Sequence, residues 1–213
     1  MDLQEFKTKK SIIGIDEVGR GPLAGKITVC ALLLSKEKER KLKKIVSAPL
    51  RDSKKLSVFQ REEWFKNIKK EKINFVVSSA SEKIIDRMNI SRACNLSATR
   101  AFFRLIEKTK IKKVLVIADG SIKINNFPQN KNFIFKHFSK ADEKIPAVSL
   151  ASIVAKVTRD AYMVKEDKKY PQYGFKDHKG YGTKKHIKAI KKYGPSKLHR
   201  LTFIKKFHKI DKS

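Results

Sequence analysis

The stretch SIIGIDEVGRGPLAG occupies residues 11–25 and determines how the fold begins. Its first five residues are mostly β-branched and apolar, which predicts a short buried strand. Gly19-Arg20-Gly21-Pro22 then turns the chain, because glycine and proline are the strongest local breaks in regular structure. The apolar run at 27–34 follows as a second strand. The pair predicts a β-hairpin, with Asp16 and Glu17 directly after its first strand.

Outward from this hairpin, the chain alternates strand-like and helix-like segments. Further strands are predicted at 74–79, 113–118 and 133–138, and helices at 36–44, 58–70, 90–108 and 147–165. The helix at 90–108 has an apolar face with three- and four-residue spacing, which should pack on a sheet. The segment at 113–118 is almost wholly apolar, as expected of a central strand covered on both faces. The alternation predicts an α/β fold.

Composition narrows the class of protein. The 213 residues include 51 Lys and Arg against 21 Asp and Glu, a formal net charge of +30, yet 40% are hydrophobic and 13 are Phe. That hydrophobic share excludes a disordered polycation and predicts one main folded domain. No apolar run approaches the ~18–20 residues that span a bilayer, and the polar first residues do not resemble a secretory signal. We therefore expect a soluble, cytoplasmic protein with no membrane partner.

The excess of positive charge indicates a polyanionic partner, because Lys and Arg release condensed counterions when they bind nucleic acid. Nucleotide bias in a lysine-rich genome is the competing explanation. The charge is densest at 179–213, where twelve Lys and Arg are interleaved with Tyr and His and accompany a single acid. Such a segment favours a duplex-binding flank over a plain solvated surface. A chain this basic should also repel its own copies, so we expect a monomer.

Acids occur at the carboxyl ends of two predicted strands. Asp16 and Glu17 follow the first strand, and Asp119 follows the apolar strand at 113–118. In α/β proteins ligands bind at these strand ends. A carboxylate held there is costly unless it is paired or binds a cation, so the two positions predict a shared metal site. Asp142, just ahead of a helix of small residues, is a further candidate ligand.

Oxygen ligands select hard cations such as Mg²⁺ or Mn²⁺ rather than zinc. Four carboxylates leave room for two ions, which at ~3.5–4 Å apart stabilise the attacking and leaving oxygens at phosphorus. Gly19-Arg20-Gly21 beside the acids can bring backbone N–H groups and a guanidinium close to an anion. The alternatives are local: a strand-end Asp often forms a turn or cap, and a Gly-Arg-Gly segment is often only a tight turn.

Six sequence blocks, in this order, resemble the ribonuclease HII family. They are DEVGRGPLAG at 16–25, RDSKKLS at 51–57, ADG at 118–120, ASIVAKVTRD at 151–160, PQYGF at 171–175 and HKGYGT at 178–183. The resemblance extends from about residue 12 to residue 203. It implies an RNase H-like mixed β-sheet flanked by helices, a catalytic domain over 1–178. It also implies a small, basic C-terminal helical extension over 179–213 that packs on the same domain.

The family's activity implies a metal-dependent endoribonuclease. Such an enzyme cleaves the RNA strand of RNA/DNA hybrids and the 5′ side of single ribonucleotides embedded in duplex DNA. It leaves 3′-hydroxyl and 5′-phosphate ends by two-metal-ion in-line hydrolysis, with Mg²⁺ or Mn²⁺. Carried over by position, Asp16, Glu17, Asp119 and Asp142 are the catalytic, metal-binding carboxylates.

The resemblance also implies substrate contacts. Gly19-Arg20-Gly21 resembles the backbone grip that senses the 2′-hydroxyl, and Tyr181 resembles the ring that packs against the following deoxyribose. Lys54 and Lys179 are assigned to substrate binding as well. The family pattern has Gly-Asp where this chain has Ala141-Asp142, and the span that separates Asp142 from the preceding ADG block is longer than usual.

The remaining reactive side chains predict no further chemistry. Cys30 and Cys94 lie far apart and are expected to be reduced and packed. The five histidines show no spacing with Ser or Cys that predicts a triad, and most are expected on the surface or facing the duplex. Two other functions stay open: an RNase H-fold nuclease acting on plain DNA, and a basic RNA-binding or ribosome-associated protein whose acids merely cap turns.

Overall fold

The computed structural model describes residues 10–50 and 53–207. Within these ranges five strands form a sheet in the order β3-β2-β1-β4-β5. The strands are β1 (Ser11–Val18), β2 (Ile27–Ser35), β3 (Phe75–Ala80), β4 (Val114–Asp119) and β5 (Phe133–Phe138). The helices are α1 (Lys36–Ile45), α2 (Val58–Lys70), α3 (Glu82–Met88), α4 (Ile90–Thr109), α5 (Ala141–Lys144), α6 (Pro146–Asp167), α7 (Phe175–His178), α8 (Lys184–Tyr193) and α9 (Leu201–Ile204), with a 3-10 turn at Pro171–Tyr173.

The sheet is mixed. Strand β1 pairs antiparallel with β2, as the predicted hairpin requires, and β2 pairs antiparallel with β3. On its other side β1 runs parallel to β4, and β4 runs parallel to β5. The carboxyl ends of β1, β4 and β5 therefore meet at one edge of the sheet, and the predicted α/β fold is confirmed.

Two helices cover the faces of the sheet. The apolar face of α4 packs on one side with Ile13, Ile15 and Val116, and α6 packs on the other with Leu115 and Ile117. Helix α6 approaches so closely that a Cβ added to Gly14 would lie 2.2 Å from the carbonyl carbon of Ala147. The small residues of α6 permit this approach, which brings the first turns of the helix close to β1.

The observed elements differ from the expected ones in one way that matters for function. Strand β1 continues to Val18, because the ladder with β2 extends through the pairs Asp16–Cys30 and Val18–Thr28. The prediction that Asp16 and Glu17 come after the strand is therefore wrong: both are among the last three residues of β1. Strand β5 and helix α2 have the predicted bounds, whereas α3 was missed because seven residues are too short to show a helical period.

The segment beyond the predicted domain boundary packs on the sheet domain as far as it is described. Ala24 and His199 form an isolated antiparallel bridge, and the Arg200 N–H donates to the Leu23 carbonyl at 2.8 Å. Both cysteines are free and buried, as expected. None of the helices within residues 10–50 and 53–207 is both long enough and apolar enough to cross a bilayer.

Candidate active site

Asp16 and Asp119 lie side by side where β1 and β4 run parallel. Ile15 pairs with Ala118, so the next residue on each strand is an aspartate. Asp16 is only 5% exposed. Burial raises the pKa of its carboxyl well above the ordinary value, and the charges of Glu17 and Asp119 raise it further. Negative charge is therefore crowded in a space where water screens it poorly.

Two serines from distant blocks support the Asp16 carboxylate. The Ser152 hydroxyl of α6 hydrogen-bonds to it, which opposes the rise in its pKa. The Ser152 and Ser53 hydroxyl oxygens are 2.8 Å apart. Lys54, an expected substrate contact, is exposed directly after this buried serine. The serines were not predicted as site residues, although a hydroxyl on the buried face of an otherwise apolar helix is a signal that could have identified Ser152.

Glu17 is tied to the Gly-Arg-Gly turn (residues 19–21). Its Oε1 accepts a hydrogen bond from the Arg20 Nε, and the pair forms an ion pair. Its Oε2 is buried and has no hydrogen-bond partner. The guanidinium of Arg20 also reaches the Cys94 thiol, with Nη2 at 3.5 Å from Sγ. A buried carboxylate oxygen without a donor is costly, so this atom is poised for a cationic ligand.

Asp142 joins the same edge through the backbone. Asp119 Oδ1 accepts a 2.6 Å hydrogen bond from the N–H of Ala141, across 22 residues of sequence. Asp142 itself is buried in the short helix α5, and its carbonyl accepts a 2.6 Å hydrogen bond from the Ser149 hydroxyl. The longer span between the two aspartates therefore does not separate them. We call Asp16, Glu17, Asp119 and Asp142 the acidic edge.

The side chains of the acidic edge are of the type that binds a hard divalent cation, although their positions do not bring three of them together. Across residues 10–50 and 53–207, no group of three or more His, Cys, Asp or Glu side chains stands close enough to hold a metal ion. The donors are nevertheless all oxygens, the charges of Glu17 and Asp119 act on Asp16, and the Glu17 Oε2 lacks a donor. A divalent cation would offset both the repulsion and the missing contact.

Two buried arginines donate hydrogen bonds to main-chain carbonyls of the Gly-Arg-Gly turn and of the segments beside it. Arg200 donates from Nη2 to the Gly19 carbonyl at 2.6 Å and from Nη1 to the Arg20 carbonyl at 2.9 Å. Arg159 donates to the Lys179 carbonyl at 3.0 Å and to the Ala24 carbonyl at 3.1 Å. Burial lowers the pKa of Arg200 to about 9, and the charge of Arg159 adds to the effect. Neither role was predicted: Arg159 was noted only as part of the block at 151–160, and Arg200 only as part of the positive charge at 179–213.

Tyr181 lies next to this turn. Its ring is 41% exposed, and its Cε1 lies 4.0 Å from the position that a Cβ on the exposed Gly21 would take. Gly19 has a φ of +99°, and a Cβ there would lie 2.4 Å from the Arg159 Nε, so only glycine fits. The Leu23 N–H donates to the Gly180 carbonyl at 2.8 Å. The turn and Tyr181 therefore form one surface.

The histidines depart from expectation. His186 and His199 are almost completely buried, so these two are exceptions to the prediction that most histidines lie on the surface or face the duplex. They pack with Tyr173 and Phe175 in a small aromatic core below the basic helix α8. The exposed His137 agrees with the prediction, and position 208 lies outside the described residues. The sequence did not predict this core, because its residues lie in segments that are rich in lysine.

Comparisons with known proteins agree with this architecture. The family model described as Ribonuclease HII matches residues 13–208. A ribonuclease HII from Caldicellulosiruptor bescii is 43% identical over 194 residues, which cover 91% of this chain and 86% of the relative. The crystal structure of ribonuclease H2 from Pyrococcus horikoshii OT3 is 26% identical with a TM-score of 0.69, and the match covers 93% of this chain and 99% of that one.

A more distant structure shares the fold. Bst-RNase HIII, solved in complex with Mn²⁺, has a TM-score of 0.72 at 18% identity, over 94% of this chain and 70% of its own. At that identity the likeness concerns the fold alone. The family match extends over nearly the whole sequence, and the curated relative is similar over most of its length. The chain therefore belongs to the ribonuclease HII family and is a type II ribonuclease H, an enzyme that cleaves the RNA of RNA/DNA hybrids.

Proposed function

We propose that this enzyme is a metal-dependent endonuclease that cuts the RNA strand of hybrids and also the 5′ side of a single ribonucleotide in duplex DNA. The observation that supports this most directly is the parallel pairing of β1 and β4. It sets Asp119 beside Asp16, which is three residues ahead of the Gly-Arg-Gly turn in sequence. The carboxylates for the reaction and the turn that contacts the sugar thereby lie next to each other, as selective cleavage at one nucleotide requires.

The acidic edge binds two divalent cations, Mg²⁺ or Mn²⁺. The oxygen donors and the orphaned Oε2 of Glu17 support this assignment, and the Mn²⁺ complex of Bst-RNase HIII is a precedent on the same fold. The bound cations supply charge that stabilises the attacking and leaving oxygens during in-line displacement, which leaves a 3′-hydroxyl and a 5′-phosphate. The ligands are Asp16, Glu17, Asp119 and Asp142.

Protein groups orient these ligands. Ser152 holds the Asp16 carboxylate from the side of α6, and the Ala141 N–H holds Asp119. The Arg20 guanidinium holds the Glu17 carboxylate against the turn. Each contact fixes one oxygen, and the Glu17 Oε2 is left without a hydrogen-bond partner. Such supporting contacts set the position and basicity of metal ligands.

The turn distinguishes RNA from DNA. Arg200 binds the carbonyls of Gly19 and Arg20 from inside the protein. A trans peptide directs its N–H opposite to its carbonyl, so the N–H groups of Arg20 and Gly21 point outward. Outward N–H groups beside an exposed glycine can donate to a ribose 2′-oxygen, the atom that separates RNA from DNA at one nucleotide.

The remaining contacts bind the duplex. The exposed ring of Tyr181 packs against the deoxyribose that follows the ribonucleotide. Lys54, Lys179 and the basic helix α8 meet the phosphates, and this binding should weaken as salt concentration rises. The enzyme acts as a monomer, because copies carrying +30 repel each other.

Two labelled duplexes test the proposal, one of DNA alone and one with a single ribonucleotide, each incubated with Mg²⁺ or Mn²⁺. We expect one nick at the 5′ side of the ribonucleotide, and none in the chain carrying Asp16→Asn. The control Asp177→Asn removes an exposed carboxylate that pairs with Lys185 and should cut normally. Cleavage of the all-DNA duplex would instead indicate a nuclease without sugar discrimination. Binding without any product under either cation would indicate a basic binding protein.

A further inference from the structure

Three histidines form a connected cluster beneath the loop that carries Tyr181. The rings of His178 and His186 stack with centroids 4.3 Å apart and an interplanar angle of 15°. The Nε2 atoms of His186 and His199 are 3.0 Å apart, which is a hydrogen bond between two buried rings. The acidic edge does not involve this cluster, and the proposed chemistry leaves it without a role.

The hydrogen bonds fix the tautomer of each ring in the buried pair. The Nδ1 of His199 accepts from the Ser196 N–H at 2.8 Å, so the proton of this ring is on Nε2. It donates from there to the Nε2 of His186, whose own proton must then be on Nδ1. That Nδ1 donates to the Tyr181 carbonyl at 2.9 Å. A one-directional chain of neutral rings thus runs from Ser196 to the main chain of Tyr181.

The third ring holds the other side of the same residue. The Nδ1 of His178 accepts from the Gly180 N–H at 3.1 Å, so its Nε2–H donates to the Tyr173 carbonyl at 2.9 Å. The Tyr181 N–H donates to the His178 carbonyl at 2.9 Å. The main chain on both sides of Tyr181 is therefore bound to the cluster.

This loop needs external support because its backbone is unusual. Lys179 has a φ of +51°, a left-handed conformation that a residue with a side chain adopts only where neighbouring structure imposes it, and Gly180 follows with a φ of +87°. Burial lowers the pKa of both His186 and His199 to about 4, so both rings stay neutral near pH 7 and preserve the chain. The Tyr181 ring lies beside the exposed Gly21, with its Cε1 4.0 Å from the position that a Cβ there would take, and a shift of about 1 Å would change its fit to a sugar.

We propose that His186, oriented by His199, is a positioning residue that holds Tyr181 in place to contact the nucleotide following the ribonucleotide. The inference rests on the proposed substrate role of Tyr181. His186 does not contact the substrate: it acts through its hydrogen bond to the Tyr181 carbonyl. Losing that bond should weaken binding of the substrate and leave the chemical step largely unchanged.

A matched pair of substitutions at one position separates this role from general stability. In His186→Asn the side-chain amide N–H takes the place of Nδ1–H and can still donate to the Tyr181 carbonyl. In His186→Gln the side-chain oxygen reaches the place of Nε2 and accepts from His199, but no donor remains at Nδ1. Both changes remove an imidazole from the same aromatic core, so both should lower the melting temperature by similar amounts.

Binding is measured by fluorescence anisotropy with a single-ribonucleotide duplex in EDTA, and KM and kcat are then measured with Mg²⁺. We expect His186→Gln to raise both Kd and KM about five- to tenfold, as one lost hydrogen bond does, with kcat within about twofold. His186→Asn should stay within about twofold of the unaltered chain in all three quantities. Equal weakening by both variants would overturn the inference, because it would indicate a purely structural histidine.

Tyr181→Ala distinguishes failure of the inference from failure of its premise. If Tyr181→Ala raises Kd but His186→Gln does not, the tyrosine contacts substrate without help from the histidines, and the inference alone falls. If Tyr181→Ala leaves Kd unchanged, the proposed substrate role of Tyr181 falls, and the inference falls with it.

Discussion

The acidic edge and the Gly-Arg-Gly turn are neighbours, yet they differ in whether their polar groups have partners within the protein. At the acidic edge, the charges of Glu17 and Asp119 act on the buried Asp16, and one Glu17 oxygen has no donor. At the turn, buried Arg200 binds successive carbonyls, and the neighbouring Tyr181 loop is bound by Arg159 and His186. The acidic edge therefore holds negative charge that a bound cation would offset, whereas the carbonyls of the turn already have hydrogen-bond donors within the protein.

The largest effect is expected from removing charge at the acidic edge. Asp16→Asn should lower kcat by about 10³-fold, since one of the proposed metal ligands loses its charge. The same change should raise the melting temperature in the absence of metal, because a buried, repelled carboxylate disappears. Cleavage assays and thermal unfolding in EDTA measure the two effects. A lower melting temperature would contradict the inferred cost of burying the Asp16 carboxylate beside other negative charges. Asp177→Asn is the control.

A smaller but still large effect is expected at the turn. Arg200→Lys cannot serve the carbonyls of Gly19, Arg20 and Gly25 together, because an ammonium group does not reproduce the planar fork that reaches all three. We expect the free energy of unfolding to fall by about 3 kcal/mol, measured by urea denaturation. Discrimination between ribonucleotide and all-DNA duplexes should fall with it. The exposed Arg104→Lys on α4 is the matched control, and an equal effect there would remove the distinction between the regions.

The histidine chain predicts a pH dependence of stability. The pKa of His199 falls from 6.5 in the unfolded chain to about 4 in the folded one, so the unfolded state binds more protons between those values. Its contribution is therefore complete above pH 6.5 and lost as the pH falls toward 4. The loss should be about 2 kcal/mol, because the paired rings titrate together and solvent screens part of the effect. Urea denaturation at several pH values should show a shallower slope for His199→Asn.

The smallest effect is expected from the serine that orients Asp16. Ser152→Ala removes a hydroxyl group and its hydrogen bond, and should lower kcat about tenfold, as loss of an orienting contact to a metal ligand does. The melting temperature should change little, since the site keeps its apolar packing. Ser97→Ala on α4 removes a comparable buried hydroxyl and should leave kcat unchanged. A normal kcat for Ser152→Ala would mean that Asp16 is oriented by its strand alone.

The sequence predicted what is local and missed what is not. Asp16, Glu17 and the Gly-Arg-Gly turn could be recognised because they stand together within residues 16–21, close to the end of a predicted strand. Arg200 could not, because it donates to carbonyls up to 181 residues away, and main-chain carbonyls carry no sequence signal. The burial of His186 and His199 was not predicted, because the aromatic core that buries them is assembled from separate, lysine-rich segments.

The hydrogen bond from the Ala141 N–H to Asp119 allows the connection between these two residues to be lengthened. Together with the pairing of Asp119 and Phe138, it closes residues 120–137 at their base, so the length of that excursion is uncoupled from the spacing of the aspartates. Doubling the length of such a loop costs only about 0.6 kcal/mol. Its exposed tip at Asn125 and Asn126 is therefore a place where a fluorophore or an affinity handle can be inserted while the two carboxylates keep their separation.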